Sequence, residues 1–431
     1  MLKHMHGEYI EICPVELRKQ IQIKGFTHAD LALRLNISTK SVQRWLNQTI
    51  KRMKVENLRK LAEALEVSPD TFTKQRQAIR QRTVNKSFED LSSEQLLFRT
   101  LATDDWERYT RLLASFNPQE LSTNQEAILY KNLGLAACFR GKMKASKKYL
   151  DQAYALAESI GDIDIMVSCL IWQCMRCKMR GDLPSGYGYA EKAESMLTLV
   201  KNKKLIFGFK AILGLILMHS GRIDEAIAHF RISVAGHYRE DNPNIVAIAF
   251  AYVYLAFAYM RKRDFKNAKI TTERALRASQ KAGWVKGHVT CNLLLGVLTY
   301  LTQDEKESAR GYFGKGRSLK KCLAGGLTDS RIDQLEFLRA LFQGNYQEAK
   351  MMVADRLMRY RQSHLFLSYA ILDALFLARL QPGSVPVRWT LVDRAADVFA
   401  QSQCHEALQL LNLLKSKAQI SFEEFMALYI F

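Results

Sequence analysis

The chain has 431 residues, 48% of them hydrophobic and only seven of them proline. With no long Gly/Ser tract, that composition excludes extensive disorder and predicts two or three folded domains. The 63 Lys+Arg against 43 Asp+Glu give a net charge of +20, a field that attracts polyanions, whether DNA or an acidic ligand.

No apolar run is long enough to span a bilayer, because Leu205–Met218 is short and is broken by Lys210. Residues 1–14 scatter His, Lys and Glu through what would have to be an apolar leader, so no signal peptide and no membrane partner are expected, and the protein is placed in the cytoplasm. The eight cysteines read as ordinary buried thiols of that compartment. Cys174-Met-Arg-Cys177 is a single C-x-x-C without a second pair or a His cluster. It therefore offers no zinc site, and a redox sensor is its one functional alternative.

After a tail spanning residues 1–14, Val15–Lys24 reads as a helix with Leu17 and Ile21 turned inward. Thr27 can cap a second helix whose Leu31, Ala32 and Leu35 share one face. Asn36 stands where the chain must turn sharply, and asparagine tolerates left-handed backbone. Ser38 can cap a third helix with Val42, Trp45 and Leu46 as its buried stripe. Ala32 leaves room for those two helices to cross closely. Downstream, Leu58, Leu61, Ala62, Leu65 and Val67 continue the helical spacing.

With Val42 and Trp45 in the core, Thr39, Lys40, Gln43 and Arg44 must face outward. The set resembles the lambda-repressor-like (XRE) helix-turn-helix domain, here over residues 15–73, with Asn36 at the turn position usually held by glycine. The resemblance implies that the third helix enters the major groove of double-stranded DNA. Thr39, Lys40 and Arg44 match its base-reading positions with Gln43 beside them, and His28 and Asn47 match its phosphate-holding positions. Lys51, Arg52 and Lys54 would extend the phosphate clamp. The plain alternative is a small helical domain with a solvated polar face. Residues 1–82 carry 16 Lys+Arg against 8 Asp+Glu, which favours the first reading.

Residues 74–93 read as a basic linker. Beyond it, over 94–380, small residues and turns recur at positions 141, 181, 221, 263, 303 and 344, 40 to 42 residues apart. Gly134, Gly214, Ala256 and Gly296 sit on the first helix of each unit, and Ala226, Ala268 and Ala349 on the second. A lone helical hairpin cannot bury its apolar faces, so such units stack. The pattern resembles tetratricopeptide (TPR) repeats, with armadillo- or HEAT-like hairpins as the alternative, and an earlier unit is expected around Asp104–Trp106. Residues 381–431 are expected to form capping or dimerisation helices whose apolar tail buries on the last repeat or on another subunit. The fold class is therefore all-α, an N-terminal helix-turn-helix domain followed by a right-handed α-solenoid of TPR-like hairpins.

That two-part order resembles the RRNPP regulators, cytoplasmic receptors that bind a short signalling peptide in the concave repeat groove. The resemblance places a backbone-holding asparagine at Asn132, two residues before Gly134. The equivalent later positions are Trp172, Ile212, Tyr254, Leu294 and Leu335, a set that implies a more apolar ligand. Trp172 and Tyr254 are either groove anchors or packing between hairpins, and Asn292 is an off-register candidate. No phosphate loop, nucleophile elbow or paired His–Glu metal motif is present, so no catalytic residue, metal or cofactor is expected.

The expected function is a homodimeric, sequence-specific DNA-binding transcriptional regulator of quorum-sensing type whose repeats bind a regulatory peptide. The alternatives are a scaffold built on the repeats, and a ligand-independent repressor that uses them only for assembly.

Overall fold

The computed structural model describes residues 9–47, 52–72, 85–303, 306–321, 330–361 and 364–429. The chain divides into two compact units, Met1–Leu91 and Ser92–Phe431.

Unit 1 begins with a strand the sequence does not announce. β1 (Tyr9–Glu11) pairs antiparallel with β2 (Arg52–Lys54), Ile10 opposite Met53. Three-residue strands with one inward side chain each carry too little periodicity to read, so residues 9–11 look like tail until Met53 is seen in the core. Cys13 donates its backbone N–H to the Phe72 carbonyl at 2.6 Å, tying the start of the unit to a single 3-10 turn at Pro69–Phe72.

α1 (Pro14–Ile23) opens on proline, whose missing N–H is no loss in a first turn. α2 (His28–Leu35) has a reciprocal cap. Thr27 accepts from the Asp30 N–H, while Asp30 accepts from the Thr27 N–H. Asn36 ends it with φ of 54°. α3 (Thr39–Leu46) is capped by Ser38 and buries Val42, Trp45 and Leu46. α4 (Val55–Ala64) adds Leu58, Leu61 and Ala62 to the same core. A further helix, α5, covers residues 85–92.

Unit 2 is a stack of helical hairpins. A short pair, α6 (Glu94–Thr103) and α7 (Trp106–Ala114), turns at left-handed Asp104. Five long hairpins follow: α8 (Thr123–Phe139) with α9 (Met143–Ser159), α10 (Ile163–Arg180) with α11 (Leu183–Glu194), α12 (Lys203–His219) with α13 (Ile223–Tyr238), α14 (Ile245–Arg261) with α15 (Phe265–Lys281), and α16 (Val285–Gln303) with α17 (Lys306–Lys320). The array continues through α18 (Ser330–Phe342), α19 (Tyr346–Arg359), α20 (His364–Leu380), α21 (Trp389–Gln401), α22 (His405–Ser416) and α23 (Phe422–Leu428).

The first helix of each hairpin is apolar on nearly all sides because neighbours cover it on both flanks. α14, for example, buries residues from Ile248 to Met260. The second helix keeps a charged outer face. The small residues act as steric permission: a Cβ on Gly134 would lie 2.7 Å from Leu150, and one on Gly296 2.6 Å from Phe313. Ala226, Ala268 and Ala349 are fully buried.

Two returns of the chain close the stack. α6 packs against α14 and α16, far along the sequence. At the other end, Ser402 Oγ donates to the Gly181 carbonyl at 2.9 Å, and Arg261 pairs with Glu406. The apolar tail finds its cover within the chain. Phe425 lies 5.1 Å from Phe376 between ring centroids, and the Tyr429 hydroxyl donates to Asp373 at 2.7 Å. Among the described residues no helix is long and apolar enough to cross a membrane.

Candidate functional site

The first candidate site is the outer edge of α3. Thr39, Lys40, Gln43, Arg44 and Asn47 are all exposed, and His28 is exposed in the first turn of α2. The helix is held from behind by Val42, Trp45 and Leu46 and at its end by the Arg18 guanidinium, which donates to the Leu46 carbonyl. Neither Lys40 nor Arg44 forms an ion pair among the described residues, so both charges are available to a partner. Other cations of this unit are engaged internally. Lys24 meets Glu66 at 2.6 Å, and Arg34 lies over the Phe26 ring at 4.3 Å. Arg52 is exposed on β2, opposite Glu11. Lys51 lies outside the described residues.

The second candidate site lies wholly within unit 2. A cavity of about 960 Å³ is walled by α6, α8, α10, α12, α14 and α16 with their flanking turns. Asn132, Trp172, Ile212 and Tyr254 all line it. These are equivalent positions on four successive first helices, so repeat register places them on one surface. Leu294 and Leu335, next in that register, are fully buried instead. Asn292 is turned inward, its amide donating to the His288 carbonyl at 2.9 Å.

Asn132 is 1% exposed, and among the described residues neither atom of its side-chain amide has a hydrogen-bond partner. A buried, unsatisfied amide costs about 1–3 kcal/mol, a cost relieved by a ligand that both donates and accepts. Trp172 and Tyr254 pack between hairpins and also face the cavity. Trp172 meets Phe139 edge-on at 6.1 Å, Phe139 stacks on Trp106 at 4.4 Å, and Tyr254 lies 4.6 Å from Phe250. The sequence reading missed the rest of this wall. Its signal was present, since stepping three or four residues from Trp172 or Tyr254 along the helix reaches Ser168, Met175, Phe250 and Phe257, all of which line the cavity.

The wall is electropositive. Lys131, Lys178, Lys204, Lys286 and Arg331 are among its nine Lys and Arg residues, against two carboxylic acids, Glu94 and Asp104. Desolvation holds the Lys131 ammonium below the usual lysine range, with Glu94 among the groups opposing that shift. His237, also in the wall, has no hydrogen-bond partner on either ring nitrogen among the described residues. Burial, helped by Lys204, pushes it down to about 4. Behind the wall His219 is held well below its normal range by burial first, then by Lys178, Arg331 and Arg261. Cys174 and Cys177 are buried, and burial pushes Cys177 up to about 11, away from the reactive thiolate. Among the described residues no group of three His, Cys, Asp or Glu could hold a metal ion.

Residues 16–74 match the Cro/C1-type helix-turn-helix DNA-binding domain. This chain therefore carries a DNA-binding domain of that type, and α3 occupies the place of its recognition helix. No curated protein matches the chain in sequence.

Among solved structures, a Rap protein complexed with Competence and Sporulation Factor is 13% identical. The likeness covers 80% of this chain and 93% of that one, with a TM-score of 0.55. NprR in complex with its cognate peptide NprX is 14% identical, over 70% of this chain and 88% of that one, at a TM-score of 0.47. The apo quorum sensor NprR from B. thuringiensis is 15% identical, over 71% and 86%, at 0.43. The likeness to the Rap protein shows the fold, a TPR-like array of helical hairpins.

Proposed function

We propose that this protein is a sequence-specific transcriptional regulator, not an enzyme, that reads DNA with the outer edge of α3 and binds a short regulatory peptide in the cavity of unit 2. The DNA half rests on the exposed Thr39, Lys40, Gln43 and Arg44 of a Cro/C1-type domain. Arg44 has the fork that matches guanine N7 and O6, Lys40 reaches guanine or phosphate, and His28, Asn47, Lys51 and Arg52 serve the backbone. Two heads reading two half-sites would give a homodimer its specificity.

The ligand half is carried by the unpartnered amide of Asn132 in a cavity whose wall repeats one helical register. Trp172 and Tyr254 supply apolar anchoring beside it. The Rap protein of like fold was solved with Competence and Sporulation Factor, which fits a receptor role for such an array. α6 offers a route between the two halves, because it forms part of the cavity wall and is the first helix of unit 2 after the head in the chain. A ligand that prefers one position of α6 shifts the population of states presented to DNA.

The test is selection of bound duplexes from a random pool by the full chain, followed by titration of the selected duplex with and without a random heptapeptide mixture. The expected result is one preferred duplex whose affinity the peptides change. No preference among duplexes overturns the DNA half. A preference that no peptide alters overturns the ligand half and leaves the repeats an assembly role.

A further inference from the structure

The cavity has a shape and a charge that specify more than a peptide in general. Its wall runs over the first helices of five successive hairpins, α8, α10, α12, α14 and α16. At about 8–10 Å between neighbouring helix axes, that span is roughly 35 Å, the length of about ten extended residues. A compact metabolite would use a fraction of it. The lining is aromatic in two groups, Trp106, Phe139 and Trp172 in contact in one and Phe250, Tyr254 and Trp284 in the other. Around that lining cations outnumber carboxylates, and the two carboxylates come from a single segment, Glu94 at the start of α6 and Asp104 at its end.

α6 is thus an internal precedent. It lies against α14 and α16, turns Leu97, Phe98 and Leu101 to the cavity, and brings its acid within electrostatic reach of Lys131. A segment with apolar side chains between two terminal acids, Glu94 and Asp104, is what this surface already accepts from its own chain.

Resting on the ligand-binding reading above, we propose that the cavity is selective for an extended acidic peptide, its backbone seated on Asn132, its apolar side chains on the aromatic lining, and its carboxylates on Lys131, Lys204, Lys286 and Arg331. Electrostatic complementarity of this kind sets which partner is admitted more than how tightly it is held. Basic peptides are excluded by like-charge repulsion at the same positions.

The experiment is retention of a synthetic random heptapeptide mixture on the immobilised full chain at about 0.1 M salt, where charges beyond roughly 10 Å are screened, with sequencing of what is retained. The wild type is expected to enrich Asp and Glu over Lys and Arg at least tenfold. The double variant Lys204→Glu with Lys286→Glu is expected to lose that enrichment and to favour basic peptides. Both side chains are only half-buried, and an unchanged thermal midpoint shows that the variant folds. Retention of peptides without acidic bias overturns this inference and leaves the ligand reading standing. Retention of no peptide overturns that reading itself. Trinucleotides of matched charge held as well as the acidic peptides would also overturn it, because the wall would then select charge alone.

Discussion

The two ends of the hairpin array are built from the same repeat and treat buried polarity in opposite ways. Toward the C-terminus, charges are closed on one another. Arg339 meets Glu336 at 2.7 Å, Arg356 pairs with Asp373, and Asp333 accepts from both Arg359 and Tyr360 at 2.7 Å. Toward the N-terminus, the side-chain polar atoms of Asn132 and His237 are buried with no hydrogen-bond partner among the described residues, and cations collect around a cavity. The closed end pairs each of these buried charges with an opposite charge or a hydroxyl, although Glu336 Oε1 and Arg356 Nε find no further hydrogen-bond partner among the described residues. The open end keeps unspent hydrogen bonds, which native folds retain chiefly where something else is meant to meet them.

The contrast breaks most easily at its closed end. Asp373→Ala would strand the Arg356 guanidinium in a dry interior and remove the acceptor of the Tyr429 hydroxyl. A loss of about 3–5 kcal/mol is expected, because breaking a buried pair leaves an uncompensated charge. Urea unfolding measures it, and a loss below about 1 kcal/mol would show that the network is solvated and the contrast unfounded.

Acid probes the open end. His237 is depressed to about 4 in the folded chain, whereas an unfolded histidine titrates near 6.5. Between those values the unfolded state binds the proton and the folded state does not, so stability falls as pH drops through that window and levels off below it. The expected loss is on the order of 3 kcal/mol by pH 4, and the buried His219 acts in the same direction. Urea midpoints at pH 7 and near pH 4.5 for wild type and His237→Phe should differ in slope, and parallel behaviour would exclude His237 as the cause.

Asn132→Leu makes the sharper comparison. At a satisfied position the change would be destabilising; at this one it should be neutral or stabilising by about 1 kcal/mol, with loss of peptide retention. Destabilisation with retention intact would place Asn132 among structural residues.

The smallest expected effect is in the head. Ser38→Ala removes the cap of α3 and should cost about 1 kcal/mol of its stability, with duplex affinity lowered and duplex preference kept. A changed preference would mean that Ser38 reads bases itself.

The two regions also differ in how far they can be read from the chain. In the head the information is local. Thr27, Asn36 and Ser38 each fix a cap or turn within a few residues, and the buried Val42 and Trp45 leave only one face for Lys40 and Arg44. What escaped was non-local, the pairing of residues 9–11 with 52–54, whose strands are too short to show alternation. In the array, the regular spacing exposes the hairpins, and register alone brings Asn132, Trp172, Ile212 and Tyr254 to one wall. It does not reveal that α6 reaches α14 and α16, or that Ser402 returns to Gly181. Those contacts join segments that no period relates.

Base reading by α3 centres on Arg44. Duplex selection from a random pool by the full chain, wild type beside Arg44→Ala, measures base reading by α3 without knowledge of any ligand. Loss of preference at one or two base pairs, worth about 1–3 kcal/mol, with the rest of the preferred site unchanged, is the predicted result. An identical preferred site in both proteins would contradict it.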